Sequence, residues 1–363
     1  MSATPPPGGA SAPQAYPPPR EGRPVSFYVA VFLALLLLVS GALNLLLLVV
    51  SAFGATSAGI GSSSVVDDSG HLYELVAVDG DADARDSILR VKIEGAIAEL
   101  ASPVLGAPGG TVSQVRRALR AAEREPTIKA VLFDINSPGG GVTDSDECWR
   151  LITEFRAAHP DIATLALFGD IAASGGYYIA VACDAIVARP TTITGSIGVI
   201  INSWNVAGAL DKIGVEAVTI VSPDTPYKDM LSPYRPVDDA EAAKIRAIVQ
   251  EMYERFVDVV DRGRPELTRG EVKAAATGEI YSAQRAFELG LVDAVGDWTS
   301  ALARLREAAG IGSARIVEYR RVPTLFDTLF GVQAAAPSLD DAIAGLLRSS
   351  SGPKLLYYWA GGR

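Results

Sequence analysis

The chain has 363 residues, with 32 lysines and arginines against 42 aspartates and glutamates, a formal charge of −10. An acidic balance of that size opposes nucleic-acid binding, which calls for a basic face, so no nucleic-acid partner is expected. His71, His159, Cys148 and Cys183 are the whole supply of soft ligands, which excludes zinc-finger, iron–sulfur and disulfide-stapled scaffolds; no metal and no cofactor are expected.

Residues 1–24 hold eight prolines and three charges; such a composition cannot pack a core and reads as a disordered cytoplasmic tail. From Pro24 to Val66 there is no charged residue, and Phe27–Phe53 is dense in Leu, Val and Ala, long enough as a helix to cross roughly 30 Å of hydrocarbon. Residues 25–53 are therefore predicted to form one transmembrane helix. A cleaved signal peptide is the rival reading, but its apolar region spans only about 7–15 residues. Arg20 and Arg23 precede the span and Asp67 and Asp68 follow it, so the positive-inside rule places the N-terminus in the cytoplasm. Everything after the span is then extracytoplasmic, on a single-pass protein of the cytoplasmic (inner) membrane. The Gly/Ser-rich stretch Gly54–Ser64 opens a linker predicted over 54–84.

Folding is expected from near Arg85. Ile88–Ile93 alternates as a strand does, and Val112, Val115, Leu119 and Ala122 share one helical face. Ala130–Ile135 reads as a buried strand. It is followed by Asn136-Ser-Pro-Gly-Gly-Gly-Val142, a helix carrying Trp149, Ile152 and Phe155, and a second buried strand, Ala163–Phe168. A further strand is predicted at Val215–Val221, a long amphipathic helix at Asp238–Arg262, and a short helix capped by Ser282 and ending at Gly290. Apolar strands alternating with amphipathic helices predict an α/β fold, a parallel sheet with crossover helices, over 85–310. Residues 311–363 form an extension that could cover the core, make a subunit contact or touch membrane.

Ligands in open α/β sheets sit beyond the carboxyl ends of strands, so the loops there are the first candidates. Ser137-Pro-Gly139-Gly140-Gly141 follows one strand; with no side chains in the way, its amides can approach a ligand closely. A plain turn fits the same residues. Gly169-Asp-Ile-Ala-Ala-Ser174-Gly175-Gly-Tyr-Tyr178 follows the next strand and opens an apolar helix. Ser174 would stand where unsatisfied amides favour a developing negative charge, although an ordinary helix N-cap accounts for it equally. Neither histidine is placed to activate it: His71 precedes the fold, and His159 lies at the opposite end of the strand leading to Ser174. Among seven lysines, Lys228 is the candidate base. It sits in a loop of prolines and apolar residues where burial could hold its amine neutral.

Four ordered motifs resemble the bacterial signal peptide peptidase A family. They are Asn136-Ser-Pro-Gly-Gly-Gly-Val142; Ala172-Ala-Ser174-Gly-Gly-Tyr-Tyr with Thr194-Gly-Ser196-Ile-Gly-Val199; Tyr227-Lys228-Asp-Met-Leu-Ser-Pro; and Gly278-Glu-Ile-Tyr-Ser through Leu291-Val-Asp293. The resemblance covers roughly Ile88–Leu305. It implies a crotonase/Clp protease-like fold and a membrane-anchored serine endopeptidase with a Ser–Lys dyad, acting on remnant signal peptides and other apolar peptides. By the match Ser174 is the nucleophile, Lys228 the general base and Ser196, otherwise readable only as a turn residue, orients the lysine. Gly140 and Gly175 supply the oxyanion hole. The resemblance further implies a homo-oligomer, commonly an octamer, in which adjacent chains complete the sites. Two other readings of the residues stand beside it: a crotonase-like acyl-thioester enzyme, and a non-catalytic membrane scaffold of the same fold.

Overall fold

The computed structural model describes residues 25–57, 64–66, 72–99, 110–322 and 355–358. The tail predicted over 1–24, His71 and Lys354 lie outside them. The chain divides into two units, Met1–Ser62 and Ser63–Arg363.

In the first unit the uncharged run folds as helix α1 (Val25–Ser57), four residues past the predicted end. Over Val25–Leu47 it is long and apolar enough to cross a membrane, and none of that stretch is buried in protein. A helix apolar on every side has no face for water.

The second unit runs β1 (Ser64–Val66), β2 (Leu72–Gly80), β3 (Ser87–Glu94), α2 (Thr111–Arg124), β4 (Ile128–Ser137), β5 (Gly139–Gly141), α3 (Val142–Ala158), β6 (Ala163–Ala173), α4 (Gly175–Ala180), β7 (Ala185–Ala188), β8 (Ile193–Gly195) and β9 (Ile200–Ile201). There follow α5 (Ala207–Lys212), α6 (Asp239–Gly263), α7 (Arg269–Ala275), β10 (Ile280–Ser282), α8 (Ala283–Glu288), β11 (Ala294–Val295), α9 (Trp298–Ala309), β12 (Arg315–Arg321) and β13 (Leu355–Tyr358). The main sheet has the order β1-β2-β12-β3-β4-β6-β7-β11, with β8 joined to β6 and β10 to β8. Neighbours from β12 through β3, β4, β6 and β7 to β11 are parallel. The predicted α/β class is the observed one.

Alternate residues of each central strand enter different cores. Val131, Phe133 and Ile135 pack with Val115, Leu119, Ile152 and Phe155 of α2 and α3. Ala130, Leu132, Leu165 and Leu167 pack on the opposite side with Ala301 and Leu305 of α9. Burial on both faces is why these strands read as unbroken apolar runs. Cys148 and Cys183 are free and buried in the first core; burial pushes both thiols up, which keeps them protonated and inert.

Three segments differ from the sequence expectation. Leu72–Gly80, inside the span read as linker, is a strand paired with β12. Part of the predicted extension is β12 itself, which lies inside the sheet between β2 and β3. The strand expected at Val215–Val221 does not form: Val218 is 75% and Ile220 92% exposed. A β-branched run becomes a strand only where a sheet edge pairs with it, and this one pairs with no strand among the described residues.

One ion pair ties the C-terminal helices to the sheet. Arg264, at the end of α6, donates to both carboxylate oxygens of Asp293 at 2.8 and 2.9 Å and to the carbonyl of Gly290 at 2.8 Å. Asp293 also accepts the Ile186 amide at 2.7 Å. Burial raises the Asp293 pKa, but the Arg264 bonds outweigh it and hold the carboxyl below its ordinary value. A depressed native pKa stabilises the fold above the unfolded value near 4 and loses that contribution as pH falls through the native one. Asp293→Asn strands a buried guanidinium and is expected to cost about 3 kcal/mol at pH 7. Urea unfolding should show the gap from wild type narrowing below about pH 4; a gap unchanged by acid would rule the pairing out as its source.

Candidate active site

The β6–β8 pairing builds the floor of the site. Ile171, Ala172 and Ala173 lie opposite Ile193, Thr194 and Gly195 in parallel register, so the residues following each strand, Ser174 and Ser196, emerge side by side. The Ser174 amide donates to the Gly195 carbonyl at 2.8 Å, and Thr194 Oγ1 donates to the Ala172 carbonyl at 2.6 Å. Both serines have positive φ, 52° at Ser174 and 49° at Ser196, a region that side chains other than glycine enter at a cost and that clusters at functional sites. Ser174 is 1% exposed, and its side chain makes no capping bond to α4. The ordinary N-cap that the sequence left open is not what is found.

The second wall is β5. Ile97 lies beside it in a parallel bridge to Gly140: the Ile97 amide donates to the Gly139 carbonyl and the Gly141 amide to the Ile97 carbonyl, both at 2.9 Å. A side chain at Gly140 would place its Cβ 2.0 Å from the Ile97 carbonyl oxygen, so only glycine fits. Ser137 fixes the approach, donating from Oγ to the Gly95 carbonyl at 2.6 Å and accepting the Gly139 amide at 3.1 Å. A Cβ on Gly175 would fall 3.2 Å from the Gly140 nitrogen and 2.5 Å from Ser145 Oγ. The β5 loop and the residue after Ser174 are therefore in close contact, and two glycine-rich stretches some 35 positions apart in sequence meet next to Ser174.

Lys228 is not brought to this cluster. It is exposed, and among the described residues no hydrogen bond joins it to Ser174 or Ser196. The burial expected of its amine is not met within one chain. Its loop is held elsewhere: Arg235 donates to Asp229 at 2.8 Å and to the buried Glu241 of α6 at 2.9 Å, keeping both carboxyls below their ordinary range. Asn205 Nδ2 donates to the Arg235 carbonyl at 2.7 Å, so 205–241 forms a self-tied lobe. His159 caps the far end of α3, 3.6 Å from Glu123, at the opposite end of β6 from Ser174.

Two positions to which sequence reasoning gave no role of their own shape the site. Ile97, in an unremarkable apolar stretch, clamps Gly140 through its backbone. Asn136 Oδ1 accepts the Ile171 amide at 3.1 Å, where the β4–β6 register slips between Ile135 and Ser137.

The profile of Peptidase family S49 matches residues 157–312, which include Ser174, Ser196 and Lys228. A relative from Enterococcus faecium named for signal peptide peptidase SppA is 35% identical over 252 residues, 67% of this chain and 72% of its own length. A protein of Synechocystis sp. named as a protease is 40% identical over 227 residues, 61% of this chain and 76% of its own. Among solved structures, a 1510-N membrane-bound stomatin-specific protease superposes with a TM-score of 0.40 at 16% identity, covering 61% of this chain and 85% of that one. Sequence identity at this level across most of two relatives fixes kinship: the chain belongs to peptidase family S49, the signal peptide peptidase A group, and is a serine-type peptidase.

Proposed function

We propose that Ser174 is the nucleophile of a Ser–Lys endopeptidase whose base, Lys228, is delivered by a neighbouring copy of the chain. The observation that carries this reading is Ser174 itself: a buried, uncapped serine on a strained turn, with the glycine backbone of β5 against the residue that follows it. Its Oγ attacks the peptide carbonyl, and the amides of Gly140 and Gly175 take up the charge on the oxygen. Neutral Lys228 accepts the Ser174 proton and returns it to the leaving amine; water then hydrolyses the acyl-enzyme by the same route. Ser196, emerging beside Ser174, orients the incoming ammonium.

A base on an exposed lobe suits assembly. Docking of the 205–241 lobe onto the next copy would bury Lys228 and drive its pKa down, as the chemistry needs. The exposed Trp204, Ile213, Val218 and Ile220 supply apolar surface for that contact. The assembly is a closed ring, an octamer in this reading. Its substrates are remnant signal peptides and other apolar peptides. The protein is then a single-pass resident of the cytoplasmic membrane, with a cytoplasmic N-terminus and an extracytoplasmic catalytic unit. Membership of a peptidase family stands against the acyl-thioester reading.

Co-expression tests the shared site. Chains carrying Ser174→Ala and chains carrying Lys228→Ala should each be inactive alone. Mixed in one assembly they should recover roughly a quarter of wild-type activity, since a random neighbouring pair brings both native groups together in one arrangement of four. No recovery in a confirmed mixed assembly would exclude a dyad drawn from two copies.

A further inference from the structure

Among the described residues no hydrogen bond or ion pair reaches the Lys228 amine, which stands on an exposed, flexible stem. A base that must meet a hydroxyl on the next copy can then be aimed only from its backbone, and a displacement of about 1 Å at a reacting group costs on the order of 10²-fold in rate. The loop's own bonds are local turns: the Lys228 amide donates to the Thr225 carbonyl at 3.1 Å, and the Met230 amide to that of Tyr227 at 3.2 Å. Leu231 turns the chain at φ 59°, a conformation that a bulky residue holds only where its surroundings impose it.

Arg235 supplies that constraint. Its Nε and Nη2 donate to the two carboxylate oxygens of Asp229 at 2.8 and 2.9 Å, and Nη2 donates also to the Asp229 carbonyl at 3.3 Å. Both terminal nitrogens donate to Glu241 as well, Nη1 at 2.9 Å. Glu241 is 1% exposed and lies in the first turn of α6, where Asp238 Oδ1 accepts its amide at 2.7 Å. Further along, α6 buries Phe256, Val257 and Val260 in the first core. One planar fork therefore joins the residue beside Lys228 to a helix rooted in the core, a link that the single ammonium of a lysine does not reproduce. Lys244, one turn further along α6, holds the other flank, with Nζ 4.5 Å from the centre of the Tyr227 ring.

We propose that Arg235 is the positioning residue of the base: by tying Asp229 to α6 it sets where the Lys228 stem begins, and so where the amine arrives on the neighbouring copy. The inference deepens the Ser–Lys reading given above and rests on it. Arg235 touches no substrate. It acts in the chain that gives the lysine and has no part in the chain that gives the serine.

Purified, detergent-solubilised full-length protein hydrolysing an added apolar peptide tests this. Arg235→Gln should lower kcat by about 10²-fold with KM unchanged. Asp229→Ala, which leaves the Arg235–Glu241 pair in place and so reads the tether even if an unpaired Glu241 disturbs the lobe, should do the same. The double variant should lose no more than the larger single loss, because both substitutions break one link. A raised KM at unchanged kcat, or losses that multiply, overturns the proposal. Mixed assemblies then locate the effect. With Ser174→Ala giving the lysine and Lys228→Ala giving the serine, Arg235→Gln added to the first chain should cut the recovered activity by about the same 10²-fold, and added to the second should leave it as it was. Equal loss from either chain makes Arg235 a general support of the fold and overturns the proposal. No recovery in the mixture lacking Arg235→Gln overturns the two-copy site instead, and the kinetics of the Arg235 and Asp229 variants still decide the part of Arg235.

Discussion

Ser174→Ala is expected to lower peptide hydrolysis by about 10⁴-fold or more, the scale seen when a serine peptidase loses its nucleophile, with the unfolding midpoint nearly unchanged. The two halves of that expectation have separate causes. The hydroxyl makes no bond to the helix it precedes, so that helix loses no cap with it. The amide to the Gly195 carbonyl, which holds the turn, is backbone and survives the substitution. What disappears is the hydroxyl proposed above as the nucleophile. Turnover measured beside thermal unfolding decides the matter: a variant that unfolds early would make Ser174 structural, and one that retains turnover would move the nucleophile elsewhere.

Gly140→Ala is expected to be nearly as damaging for a different reason. The added carbon would stand 2.0 Å from the Ile97 carbonyl oxygen and 2.6 Å from its nitrogen and carbonyl carbon. Those atoms belong to a backbone bridge, and Ile97 is wholly buried, so no flexible side chain can give way. The loop must move by an ångström or more. Misplacing one oxyanion donor costs about 10²–10³ in rate, and forcing the carbon into a filled space adds about 1–3 kcal/mol of instability. Gly312→Ala is the matched control: nothing lies within 4 Å of its added carbon, and neither rate nor stability should fall. Equal kinetics for the two variants would remove Gly140 from the site.

The fold was readable wherever one strand or helix determines itself. Ala130–Ile135 and Ala163–Phe168 have both faces covered, so an unbroken apolar run is the only pattern they can take. Val112, Val115 and Leu119 show their shared face because α2 buries one side. The failures occur where structure depends on distant partners. Leu72–Gly80 mixes charged and apolar residues and becomes a strand because β12, some 240 positions later, lies along it. Val215–Val221 has the composition of a strand and lacks an edge to join. The site divides in the same way. Ser174 and the glycine loops were visible because each ends a strand, and the parallel register carries both to one place. Ile97 gave no signal, since its contribution is a backbone bridge that any residue type could make. The Lys228 loop was recognisable by resemblance, but the burial expected of its amine is absent within one chain, because nothing in the loop's own sequence covers it.

The position of β12 governs how the molecule comes into being. Arg90 of β3 and Glu318 of β12, 228 positions apart, are ion-paired across adjacent strands. Until synthesis has passed Arg321, the flank of β3 stays open and β2, paired only with the three-residue β1, has nothing to join it to the rest of the sheet. Such distant pairings slow folding, and an open apolar flank invites aggregation in the meantime. A premature stop codon anywhere before Arg315 would therefore remove an inner stave of the sheet rather than trim an appendage, and the truncated product should be cleared by quality control instead of surviving as a shorter enzyme.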